Sequence, residues 1–150
     1  MRNMFDASDV QEIKGRLAQL GPKSVPHWGS MTAPQAVAHC ANSMEWAVGD
    51  RIPLRMFWGG ILGRLIKSKV IGDEMPFRRN SPTAEDLLVR DDRDLASERA
   101  RLITLIDRFA EGGAAQCTTS PHSFFGRLSP QEWAVLMYKH LDHHLRQFGV

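Results

Sequence analysis

The run SPQEWAVLMYKHLDHHLRQFGV, residues 129–150, admits very few folds. Ser129 is placed to cap a helix, Pro130 takes the first helical position where a missing N–H costs nothing, and Glu132 can close a capping box. Trp133, Leu136, Met137, Leu141 and Phe148 then recur at helical spacing and define one apolar stripe. Such a helix has to lay that stripe against other elements. No segment elsewhere alternates with period two, so no sheet is on offer. The chain reads as all-α.

Helix starts recur upstream. Ser8 with Gln11 forms a capping-box pattern ahead of Val10, Ile13, Leu17 and Leu20, and Gly21 and Pro22 follow as a stop. Thr32 with Gln35 repeats the pattern, with Pro34 in the first turn, for a helix running to about Val48 before Gly49. A third segment, roughly Leu54 to Val70, contains a Gly pair, and GDEMPFRRNSP after it reads as loop. A short turn from Thr83 precedes an amphipathic helix carried by Leu95, Arg99, Leu102, Leu105, Ile106 and Phe109 and ended by Gly112 and Gly113. The simplest assembly is a bundle of four main helices with extra short pieces, one domain over residues 1–150. That length buries a core without staples.

Charge and cysteine usage exclude several functions. The 19 basic and 17 acidic residues are interleaved rather than gathered in a patch, which argues against nucleic acid. The longest apolar region, MFWGGILGRLIKSKVIG, is interrupted by Arg64, Lys67 and Lys69 and is too short and too charged to span a bilayer. MRNMFDASDVQEIK carries acids early and lacks an apolar run, so a cytoplasmic protein is expected. Cys40 and Cys117 stand far apart without a CxxC spacing and read as free thiols. No Gly-rich phosphate loop, Ser-His-Asp order or paired carboxylates name a chemistry.

The histidines are the chemical signal. On the last helix His144 falls near the centre of the apolar stripe with His140 beside it, while His143 turns toward the polar flank and reads as a non-ligand. Residues at i and i+4 stand about 5–6 Å apart at Cβ, so two imidazoles there can converge on one ion at about 2.0–2.1 Å. The same pair can instead be core histidines satisfied by backbone carbonyls or water. A third ligand has to come from another helix. His39 shares a face with Ala36, Ser43 and Trp46 and offers one, although a lone helical histidine taken singly reads as a satisfied core residue. Three histidines from two helices would leave coordination positions open. His122 sits on a loop, either orienting a ligand from outside or facing solvent. Asn42 and Glu45 lie within two turns of His39. They read as outer supports of the site or as solvated groups.

WGSMTAPQ followed by AVAHC, together with the late HLDHHLRQ, resembles the DinB/YfiT-like superfamily. The longer run PHSFFGRLSPQEWAVLMYKHLDHHLRQFG resembles one branch of it, a domain of unknown function, and the likeness extends from about Trp28 to Gly149. His39 matches that superfamily's early histidine and His140 and His144 its late pair. Gln147 follows the second of these by three residues, as in many members, and stands as a further supporting candidate. The resemblance implies a four-helix bundle holding a divalent transition metal (nickel, zinc or iron) through three histidines. It also implies a homodimer and thiol-dependent transferase or isomerase relatives that use low-molecular-weight thiols.

Two functions follow as expectations. One is a metal-dependent enzyme, a thiol-dependent transferase or a hydrolase, acting on a small molecule. The other is a non-catalytic bundle whose histidines are structural. For the second, Trp58, Ile61, Leu62, Leu65 and Ile66 would line a dimer face, close over a pocket, or simply be core.

Overall fold

The structure is a computed structural model that describes residues 1–55, 59–73 and 75–150, with 59–62, 64 and 65 described by backbone alone. Five helices follow in order: α1 (Ala7–Gln19), α2 (Ala33–Val48), α3 (Gly59–Gly72), α4 (Leu95–Gln116) and α5 (Pro130–Gln147), with a 3-10 turn at Glu85–Leu87. Among the described residues there is no strand, only an isolated antiparallel bridge between His122 and Gly126. The fold is all-α, and no helix among the described residues is long and apolar enough to cross a membrane.

Local chemistry sets the helix ends. The Thr32–Gln35 and Ser129–Glu132 capping boxes both form, and Gly49 closes α2 in the left-handed region at φ 84°. At α1 the expected start is corrected: Asp6, not Ser8, is the cap, its carboxylate accepting from the backbone N–H groups of Ser8 and Asp9. An ionised carboxylate is the stronger acceptor, and the Ser8 hydroxyl itself donates to it at 2.6 Å. In α4 the helical geometry breaks at Gly113 (φ 54°, ψ −152°), close to the expected end, and the chain then resumes helix to Gln116. Leu54, the expected start of the third helix, is not helical, and the helix is described over Gly59–Gly72. Of the apolar face expected there, Trp58 and the side chains of Ile61, Leu62 and Leu65 lie outside the described residues.

α1, α2, α4 and α5 pack on one another around a shared core. Ile13 and Leu17 of α1, Met44 and Trp46 of α2, Leu102 and Ile106 of α4, and Trp133 and Leu141 of α5 are all buried within it. The α2–α4 seam is fastened by Arg101, whose guanidinium bonds Glu45 (2.6 Å), Glu98 (2.9 Å) and Asn42 (2.9 Å). α3 lies across α5. Lys139 of α5 is buried and its ammonium donates to the carbonyls of Val70 and Asp73, satisfying groups at the C-terminal end of α3. At the other end, Gly63 sits so close to the Phe124 carbonyl that any Cβ there would overlap it.

Candidate metal centre

His39 comes from the middle of α2, and His140 and His144 come from successive turns of α5. The three rings form a nearly equilateral triangle, with centroids 4.9 Å (His39–His140), 4.7 Å (His39–His144) and 4.8 Å (His140–His144) apart. All meet edge-on. One ring nitrogen from each lies within 4.8 Å of the others, so the three could hold a metal ion. His39 is buried, and His140 and His144 are half-buried.

The outward nitrogens explain how the triangle is held. His39 Nδ1 lies 3.0 Å from the Leu87 carbonyl, which can only accept, so the Nδ1 carries the proton. His144 Nδ1 lies 2.9 Å from Gln147 Oε1. The Gln147 amide is itself oriented, because its nitrogen donates to the Trp28 carbonyl at 2.6 Å. His144 therefore also carries its proton on Nδ1. His140 Nδ1 lies 2.9 Å from the Ser43 hydroxyl, which in turn lies 2.8 Å from the Cys40 carbonyl.

Those contacts permit two proton arrangements. In one, Ser43 donates to His140 Nδ1, and His140 Nε2–H donates across the 2.9 Å gap to His39 Nε2. In the other, Ser43 donates to the Cys40 carbonyl and accepts from His140 Nδ1–H. All three Nε2 lone pairs are then bare and directed at one another. A cation is what satisfies that second arrangement, and outer acceptors fixing the tautomer are the usual support of metal-ligating histidines.

Burial keeps the donors neutral. Desolvation, reinforced by the neighbouring imidazoles, lowers His140 well below the ordinary histidine range and brings His144 to about 3. Desolvation likewise lowers His39, against the raising effect of the Leu87 carbonyl. Neutral imidazole is the metal-binding form. Cys40, next to His39 in sequence, is buried, and burial pushes its thiol far above the usual range.

The remaining expectations divide. Gln147 does support the triangle, through His144. Asn42 does not: it lies about 60° round the helix from His39 at 100° per residue and faces Arg101 of α4. Glu45 is engaged by the same arginine. His122 is neither solvent-facing nor bonded to the three. Its Nδ1 accepts the backbone N–H groups of Phe124 (3.1 Å) and Phe125 (3.2 Å). Its ring packs against Trp46 and Trp133 at 5.5 and 5.4 Å, and burial lowers it to about 4. His143 stays outside the triangle, with Trp28 (5.6 Å) and Phe77 (6.0 Å) against its ring. Three supports were not anticipated as such: Ser43 and the carbonyls of Leu87 and Trp28. Ser43 stands four residues after His39, a visible signal. The two carbonyls belong to the 3-10 turn and to a loop and carry no sequence signal.

Over residues 4–149 the chain matches the family described as "Protein of unknown function (DUF1569)", and it belongs to that family. No curated protein and no solved structure matches it.

Proposed function

We propose that this member of the DUF1569 family is a divalent-metal protein on a DinB-like four-helix bundle, and that His39, His140 and His144 hold an ion serving a reaction on a small molecule. The observation that carries the reading is the outward anchoring of all three rings: His39 and His144 each donate from Nδ1 to a fixed acceptor, and the Ser43 hydroxyl is placed to accept from His140 Nδ1, the arrangement that turns all three Nε2 atoms to the centre. Zinc, nickel and iron all accept such a donor set.

When bound, the ion would supply Lewis acidity to a donor group of the substrate. The chain's own residues do the rest. Leu87, Ser43 and Gln147 orient the rings, and burial withholds protons from them. Among the described residues no carboxylate or thiolate joins the three histidines as a fourth ligand. That favours a working site over a closed structural one, which uses four protein ligands. Thiol-dependent transfer and hydrolysis are the reactions to assay first.

The test is elemental analysis of tag-free protein beside His144→Ala after dialysis without chelator. About one equivalent of a transition metal in the wild type and its loss in the variant support the reading. If neither retains metal nor takes up zinc or nickel on titration, the histidines are core residues.

A further inference from the structure

The segment after α3 is fastened above α5 rather than lying free. Lys139 holds the carbonyls of Val70 and Asp73 and lies 5.5 Å from the centroid of the Phe77 ring. Phe77 in turn packs on His143. The chain then tightens into a turn. Asn80 adopts the left-handed region at φ 55°, which asparagine tolerates better than most residues, and the Ser81 hydroxyl donates to the Arg78 carbonyl at 2.7 Å.

That turn presents Arg79. Its guanidinium carbon stands 4.2 Å from the centroid of the Trp28 ring, a cation–π stack. Trp28 also packs on His143, and His143 lies 5.1 Å from His144. The Trp28 carbonyl is the acceptor that orients Gln147 and, through it, His144. Arg79, Trp28, Phe77 and His143 therefore make a rim that borders the triangle at His144.

A guanidinium stacked by its face keeps its N–H edge available, and that planar fork matches a carboxylate. Arg79 is exposed, and none of the ion pairs or hydrogen bonds among the described residues engages it. Three neutral imidazoles leave a bound dication's charge uncompensated, so a substrate reaching it from this rim meets positive charge on both sides.

We infer that Arg79 is the specificity residue of a substrate subsite, and that the substrate is a small molecule carrying a carboxylate at one end and a metal-binding donor at the other. The inference rests on the metal reading above. Arg79 binds the carboxylate, and Trp28, packed in turn on His143, holds the guanidinium in place.

The test uses cobalt(II)-loaded protein, whose sulfur-to-cobalt charge-transfer absorption reports a thiol probe arriving at the ion. Two probes are titrated, 3-mercaptopropionate and 3-mercaptopropan-1-ol, on wild type, Arg79→Ala and Arg79→Lys. Wild type is expected to prefer the carboxylate probe by roughly fivefold, the scale of an ion pair at a partly exposed site. Arg79→Ala should bind both probes alike, and Arg79→Lys should keep part of the preference. A preference that persists in Arg79→Ala would mean the carboxylate is chelating cobalt and would overturn the inference. Equal weakening of both probes in Arg79→Ala assigns the residue a structural role and does the same. Absence of preference in the wild type, with the band present, sinks the Arg79 assignment alone. Failure of the wild type to take up cobalt sinks the metal reading and this inference with it.

Discussion

The hydroxyl of Ser43 stands 2.9 Å from His140 Nδ1, so that one residue on α2 can pair with an α5 imidazole in either of its tautomers. It can do so because the Cys40 carbonyl offers the same hydroxyl a second acceptor at 2.8 Å. Removing the oxygen in Ser43→Ala leaves His140 Nδ1 without that partner and frees the ring to rotate. Metal affinity is expected to fall by about tenfold or more, the usual cost of losing such a support, with one-to-one stoichiometry retained. Competition against a chromophoric chelator measures it. An unchanged affinity would show that Ser43 does not set the tautomer.

The proton count of loading follows from burial. His39, His140 and His144 all titrate below the ordinary histidine range, His144 at about 3, so all three are neutral at pH 7. Switching His140 from one tautomer to the other moves a proton without releasing it. Zinc titrations at pH 7 in two buffers of different ionisation enthalpy should therefore give nearly the same heat once buffer–zinc binding is subtracted. Release of two protons or more, beyond the one that a zinc-bound water can supply, would contradict the neutral assignment.

Acid stability tests His122. Its folded pKa of about 4 lies below the ordinary value of about 6.5. The stability that this group contributes is complete above pH 6.5. As pH falls from there toward 4 the unfolded chain takes up a proton that the folded one refuses, and stability is lost. The slope is about 1.4 kcal/mol per pH unit for each such proton. His122→Asn keeps an acceptor for the Phe124 and Phe125 N–H groups but cannot titrate, so its metal-free stability should decline less steeply between pH 6.5 and 4. Parallel curves for variant and wild type, from urea unfolding at each pH, would remove His122 as a contributor.

Gly63 reports on how α3 is seated. A methyl group there would overlap the Phe124 carbonyl, which is backbone and cannot swing aside. Gly63→Ala should cost about 1–3 kcal/mol, the range for overpacking, despite alanine's better helix propensity. Gly72, with open space around it, is the control position at which the same change is harmless or mildly stabilising. Thermal unfolding of the two variants distinguishes them. A Gly63→Ala protein as stable as the wild type would mean that α3 does not pack so closely on the loop before α5.

Much of this was legible because the determinants are local. The capping boxes at Thr32 and Ser129 depend on residues three apart, and both form as spaced. The inward pair on α5 follows from helical periodicity, and the structure does bring His39 to it. What escaped depends on partners distant in sequence. His122 reads as a loop residue, yet its burial is fixed by Trp46 and Trp133 arriving from two helices. Asn42 lies near His39 along the chain, but Arg101 of α4 claims it. Leu87 and Trp28 serve through their carbonyls, and a carbonyl is the same in every residue. At α1 two caps competed within three positions, and the carboxylate of Asp6 prevailed over the hydroxyl of Ser8.

The pairing of α2 with α5 also equips the molecule with its own optical gauge. Trp46 follows His39 by seven residues and Trp133 precedes His140 by seven, so each indole sits two helical turns, about 10 Å, along its helix from a histidine of the triangle. Both indoles are buried and shielded from solvent quenchers. Open-shell ions such as copper(II), cobalt(II) or nickel(II) quench tryptophan emission over that range, whereas closed-shell zinc does not. Intrinsic fluorescence alone should thus register the arrival of an ion and separate zinc from its open-shell competitors, with no label attached.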